Sequence, residues 1–146
     1  MAASIVRQIM RPPLYVEAGT HLSAVVRTLL EHHILGLPVV DSAHRVIGFV
    51  SEQDCIHAIM VSSYHCEGWP VVNEVMHSEP FTVLPDELIV DLAQRMGKNK
   101  PKVYPVTDRD QVLLGIVTRA DVLCALAANR DACDLPSAEL QRRRTG

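Results

Sequence analysis

Two stretches decide the fold: Pro38-Val39-Val40-Asp41-Ser42-Ala43-His44-Arg45-Val46-Ile47-Gly48-Phe49-Val50-Ser51-Glu52-Gln53-Asp54, and Pro105-Val106-Thr107-Asp108-Arg109-Asp110-Gln111-Val112-Leu113-Leu114-Gly115-Ile116-Val117-Thr118-Arg119-Ala120-Asp121. A gapless shift of 67 residues lays residues 13–58 on 80–125. Nine of those 46 positions are identical, and six of the nine fall inside this 17-residue window. Identities packed that tightly mark an internal repeat, which outranks any single motif in deciding architecture. Within each stretch an apolar strand (Leu37–Val40, Val103–Val106) meets a polar turn and a second strand (Val46–Val50, Val112–Val117). The short turn predicts an antiparallel hairpin.

Upstream of the first hairpin, Leu22, Val25, Val26, Leu29 and Leu30 recur at helical spacing, and the shift places Ile89, Leu92, Ala93, Met96 and Gly97 on the same face. Thr20 and Asp86 are candidate N-caps. Short extended pieces precede these helices at Leu14–Val16 and Phe81–Leu84. Downstream, Ser51 and Thr118 open second helices whose apolar sides read as Ile56, Ile59 and Met60, and Val122, Leu123 and Leu126. The expected fold class is α/β of the α+β type, two β-α-β-β-α repeats. Each copy, at about 55 residues, is marginal alone, so the two are expected to share one core. The expected boundaries are a first repeat at 6–62, a joint at 63–71, a second repeat at 72–128 and a polar, disordered tail at 129–146.

Composition narrows the function. Apolar residues make up 48% of the 146, enough for a core, while no run of 18 or more could span a membrane and no basic-then-apolar leader opens the chain. A cytoplasmic protein is expected. Cys55, Cys66, Cys124 and Cys133 form no C-x-x-C pair and read as reduced thiols. A net charge of −3 gives no reason to expect nucleic acid. Four of the fourteen lysines and arginines precede residue 74, so an anionic ligand belongs nearer the second half. His32, His33, His57, His65 and His77 show no zinc-site spacing, and His32 and His33 read as the close of the first helix. Trp69 and Tyr64 are expected to pack the joint. No nucleophile–base order, phosphate loop or carboxylate pair points to catalysis.

The motif that carries chemistry is Gly-apolar-apolar-Ser/Thr-x-x-Asp, at Gly48–Asp54 and Gly115–Asp121. Ser51 with Asp54, and Thr118 with Asp121, match a capping box. The same geometry offers free N–H groups, a positive dipole end and a hydroxyl to a phosphate, and an acid to a ribose diol. Both readings stay open.

With Met10 and Met76 placed to open each copy, these elements resemble a tandem pair of CBS domains, over about residues 6–128. The resemblance implies that the repeats pack about a pseudo-two-fold axis and leave two clefts for adenosine-containing ligands. It carries ribose binding onto Asp54 and Asp121, phosphate contact onto Ser51 and Thr118, and a first-strand threonine onto Thr82, where the first copy has Tyr15 and a reshaped cleft. Lys100, Lys102, Tyr104 and Arg119 join the expected site, which favours the Asp121 cleft. The expected role is a regulatory module that binds an adenine nucleotide such as AMP, ADP or ATP, requires no cofactor or metal, forms a homodimer and acts on a separate effector protein in trans. A ligand-free dimerisation scaffold is the alternative.

Overall fold

The computed structural model describes residues 3–64, 68–97 and 101–134. Strand β1 (Val16–Glu17) is followed by helix α1 (Leu22–His32), strands β2 (Gly36–Val40) and β3 (Val46–Ser51), and helix α2 (Glu52–Tyr64). The second repeat supplies α3 (Ile89–Arg95), β4 (Val103–Thr107), β5 (Leu113–Thr118) and α4 (Arg119–Asp134). β2 lies between β1 (parallel) and β3 (antiparallel), and β4 pairs antiparallel with β5. A parallel bridge from Val83 to Val106 takes the place of β1 in the second sheet. The hairpin turns are built by the repeated aspartate. Asp41 Oδ1 accepts from the Ala43 and Arg45 amides, and Asp108 Oδ1 from Asp110 and Val112, all at 2.9–3.0 Å.

Before each first helix lies a one-turn 3-10 segment, Val6–Gln8 or Val72–Glu74, and each packs on the other repeat. Val6 is buried with Val83, Ile89, Leu92 and Val117, while Val72 is buried with Leu22, Val25, Leu37 and Val50. The expected single shared core is therefore two cores, each completed by the segment that opens the opposite copy. Small clusters join the repeats: Val40 and Val46 with Leu113, and Phe49 with Val103 and Ile116. The seam between the repeats is reciprocal: the Val46 amide donates to Gln111 O at 2.8 Å and Leu113 to His44 O at 3.0 Å.

The exchanged segments also cap the helices. The first amide of α1, Leu22, donates to Pro70 O at 2.8 Å, and that of α3, Ile89, to Ser4 O at 2.9 Å. Neither Thr20 nor Asp86 caps a helix. The N-cap positions are His21 and Leu88, and the Thr20 hydroxyl turns back to Glu17 O. A backbone carbonyl from the exchanged segment supplies what a side chain was expected to. α1 closes at His33 in the left-handed region, φ 51°. α3 stops at Arg95, so Gly97 stands beyond the helix, and Leu30 on α1 is exposed. On the second helices Cys55 and Val122 face inward, whereas Ile56, Met60 and Leu123 are exposed. Burial pushes the Cys55 thiol up to about 11, which leaves it protonated at neutral pH; Cys124 is exposed. α4 continues past Ala128 to Asp134, while Lys100, His65, Cys66 and the rest of the C-terminal tail lie outside the described residues.

Gly48 and Gly115 are glycines because the exchanged segments cross them. A Cβ at Gly115 would stand 2.5 Å from Arg11 O, and one at Gly48 would meet Met76 Sδ and lie 2.9 Å from His77 O. Gly115→Val should lower stability by about 1–3 kcal/mol through forced displacement of the segment. Gly68→Ala, with nothing within 4 Å of the added carbon, should stay within about 0.5 kcal/mol. Urea melts of both variants check this; equal effects would contradict it.

Candidate functional site

The repeated Gly-to-Asp motif places a strand end, a hydroxyl and a helix N-terminus together in each copy. At the start of α2 the Ser51 Oγ accepts from the Asp54 amide at 3.1 Å, and Asp54 Oδ2 accepts from the Ser51 amide at 2.9 Å. At the start of α4 the Thr118 Oγ1 accepts from the Asp121 amide, and Asp121 Oδ2 from the Thr118 amide, both at 3.0 Å. Both motifs are capping boxes. Each hydroxyl uses a lone pair in its cap and keeps its proton to give, so capping and ligand contact are compatible.

The exchanged segments bring a second partner to each carboxylate. Arg11 bridges to Ile116 on β5, its amide donating to Ile116 O at 2.8 Å, and so its side chain reaches Asp121. The guanidinium Nη2 stands 2.7 Å from Asp121 Oδ1, and Nε lies 3.1 and 3.0 Å from Oδ1 and Oδ2. The hydrogen bond to this carboxylate raises the Arg11 pKa against the opposing effect of partial burial. His77 bridges to Phe49 on β3 in the same way and puts Nε2 3.1 Å from Asp54 Oδ1. Sequence reasoning did not find either pairing. The opening methionines Met10 and Met76 are 66 residues apart, one fewer than the main repeat, and the gapless alignment begins only at residues 13 and 80, so Arg11 and His77 lie outside it.

Two clefts lie between the repeats. One, of about 770 Å³, is lined by Ser51, Glu52, His77, Glu79, Phe81 and Lys102 among others. The second, of about 740 Å³, is lined by residues including Arg11, His32, His33, Lys102, Thr118 and Arg119. Both volumes suit a small-molecule ligand. Lys102 borders both, at the wall between them.

The expected site residues divide accordingly. Ser51 reaches one cleft, Thr118 and Arg119 the other, and Lys102 both. Asp54 and Asp121 stand behind their hydroxyls, with side-chain exposures of 20% and 15%. Tyr104 is fully buried in the second core, edge-on to Phe81 at 5.3 Å. Its hydroxyl has no hydrogen-bond partner among the described residues, and burial raises its pKa against the pull of Arg119 and Arg95. Thr82 is half-buried and lines neither cleft; its carbonyl accepts from Arg95. Tyr15 reshapes neither cleft, since it packs edge-on against His44, ring centroids 4.7 Å apart, beside Val40, Val46 and Leu113. Trp69 is about half exposed and borders a small groove with Ile59 and Ser62 at the end of α2. Among the described residues no group of three or more His, Cys, Asp or Glu is placed to hold a metal ion.

Comparison with known proteins accounts for this arrangement. The family model for the CBS domain matches twice, at residues 6–61 and 72–128. A crystal structure of CBSX2 in complex with AMP superposes with a TM-score of 0.76 at 27% identity, covering 88% of this chain and 99% of that one. CBSX2 is a CBS-pair protein of Arabidopsis thaliana. An uncharacterised protein of Methanocaldococcus jannaschii, MJ1426, is 28% identical over 84% of this chain and 90% of its own length. The carnitine transport ATP-binding protein OpuCA of Listeria monocytogenes is 32% identical over 81% of this chain, but the match spans only 28% of that protein. Two family matches, two hairpins followed by capped helices and two clefts between the repeats lead to one conclusion: the chain belongs to the CBS-domain family, as a tandem pair.

Proposed function

We propose that the chain is a ligand-sensing regulatory module that binds an adenosine-containing nucleotide between its repeats. The observation that carries this reading is the pair of clefts, each bordered by a hydroxyl at a helix N-terminus that still has a proton to donate. The AMP bound by CBSX2, at 27% identity across nearly the whole of that chain, supports the choice of ligand class. In this reading Thr118 contacts phosphate, Lys102 and Arg119 neutralise it, Ser51 borders the other cleft, and Asp54 and Asp121 hold the helix N-termini from behind. Tyr104 and Thr82 support the second repeat's wall from behind. The module works in the cytoplasm and acts on a separate effector protein in trans, with no cofactor required. Among the described residues no helix is long and apolar enough to cross a membrane.

A homodimer is part of the proposal. Met60 on α2 and Leu123 on α4 are 67% and 68% exposed, and Ile56 is 51% exposed. Apolar side chains spread over both second helices suit a second copy. The rival reading, a scaffold whose clefts bind nothing, is favoured by one observation: Arg11 already occupies the Asp121 carboxylate.

Titration with AMP separates the two. At 100 times its dissociation constant AMP should stabilise the chain by about 2.7 kcal/mol, and Thr118→Ala should weaken binding by about tenfold. A melt that AMP leaves unmoved contradicts the sensing role and favours the scaffold. For assembly, sedimentation at micromolar concentration should give a dimer that Met60→Glu with Leu123→Glu converts to a monomer. A wild-type chain that sediments as a monomer contradicts the dimer.

A further inference from the structure

The two clefts are alike in size and opposite in charge. Arg11, Lys102 and Arg119 line the Thr118 cleft, with His32 and His33 from the end of α1, and no acidic side chain lines it among the described residues. Glu52 and Glu79 line the Ser51 cleft against the shared Lys102. Both glutamates are exposed, so neither is held there by packing. A phosphate chain entering the Ser51 cleft meets two carboxylates and one ammonium group; in the Thr118 cleft it meets cations alone.

The acids behind the hydroxyls differ in the opposite sense. An ionised carboxylate offers about four acceptor positions. Asp121 spends them on Arg11 Nε, in contact with both oxygens, on Arg11 Nη2 and on the Thr118 amide. Among the described residues Asp54 accepts from the Ser51 amide and meets His77 Nε2, and it stands behind Ser51 without lining the cleft. The Ser51 cleft thus repels phosphate, while the Thr118 cleft has the acid behind it filled and attracts phosphate.

We propose, resting on the ligand-sensing reading above, that the clefts are specialised. The Thr118 cleft takes a nucleotide carrying several phosphates, and the Ser51 cleft takes a nucleoside without phosphate. Glu52 and Glu79 are the specificity-determining residues of the Ser51 cleft. They act by excluding polyphosphate, not by contacting the base.

Calorimetry on the full chain with adenosine and ATP tests this. Each ligand should bind at a single site, and saturating adenosine should leave ATP binding intact. Arg119→Ala should weaken ATP by about tenfold or more while adenosine binding, which also reports that the variant is folded, stays within about twofold. The double variant Glu52→Gln with Glu79→Gln should raise ATP stoichiometry from one site to two. Competition between adenosine and ATP, ATP filling both wild-type clefts, or a double variant still limited to one ATP would overturn the specialisation and leave the sensing role standing. If neither ligand binds, the sensing role itself fails and the specialisation with it.

Discussion

Everything in this molecule depends on the exchange of two short apolar segments. Val6 and Val72 are each completely buried in the core of the repeat they do not open. A repeat of this size buries too little surface to be stable alone, and here neither core is complete without a segment that lies beside the other repeat in sequence. The same crossing fixes Gly48 and Gly115, supplies the first carbonyl to α1 and α3, and sets Arg11 and His77 beside the carboxylates of the opposite motif. One constraint thus governs stability, helix capping and the electrostatics of both clefts.

That arrangement suits a sensor. A ligand that touches Thr118 or the Asp121 carboxylate acts within reach of Arg11, and Arg11 belongs to the segment that completes the second core. A ligand there would therefore bear on how firmly the N-terminal segment is held. The first cleft has the same wiring through His77, in a weaker form: an exposed imidazole replaces a guanidinium held by three contacts.

Much of the fold was legible because it is written locally. The hairpins follow from alternating apolar strands around an aspartate turn, and the capping boxes from residues three apart; Asp41, Asp108, Ser51 and Thr118 each do what their spacing implies. What was not legible is non-local. Thr20 looked like a cap because nothing in its neighbourhood reveals that Pro70 O arrives from far along the chain. Arg11 and His77 follow the opening methionines, outside the gapless alignment, and nothing local to them shows that each reaches the aspartate of the opposite motif. Tyr104 and Tyr15 looked like cleft residues, yet burial takes one into the core and the His44 edge takes the other to the inter-repeat seam. The clefts themselves are products of how the repeats meet, so the charge facing each could be read only once Glu52, Glu79 and Lys102 were placed.

The segment exchange is tested most directly by hydrogen exchange on Val6→Asp, read strand by strand. A buried, unpaired carboxylate at residue 6 should open the core it occupies. The account predicts that amides of β4 and β5 lose protection while those of β2 and β3 keep most of theirs, although residue 6 lies beside the first repeat in sequence. Loss of protection in β2 and β3 with β4 and β5 intact would contradict it.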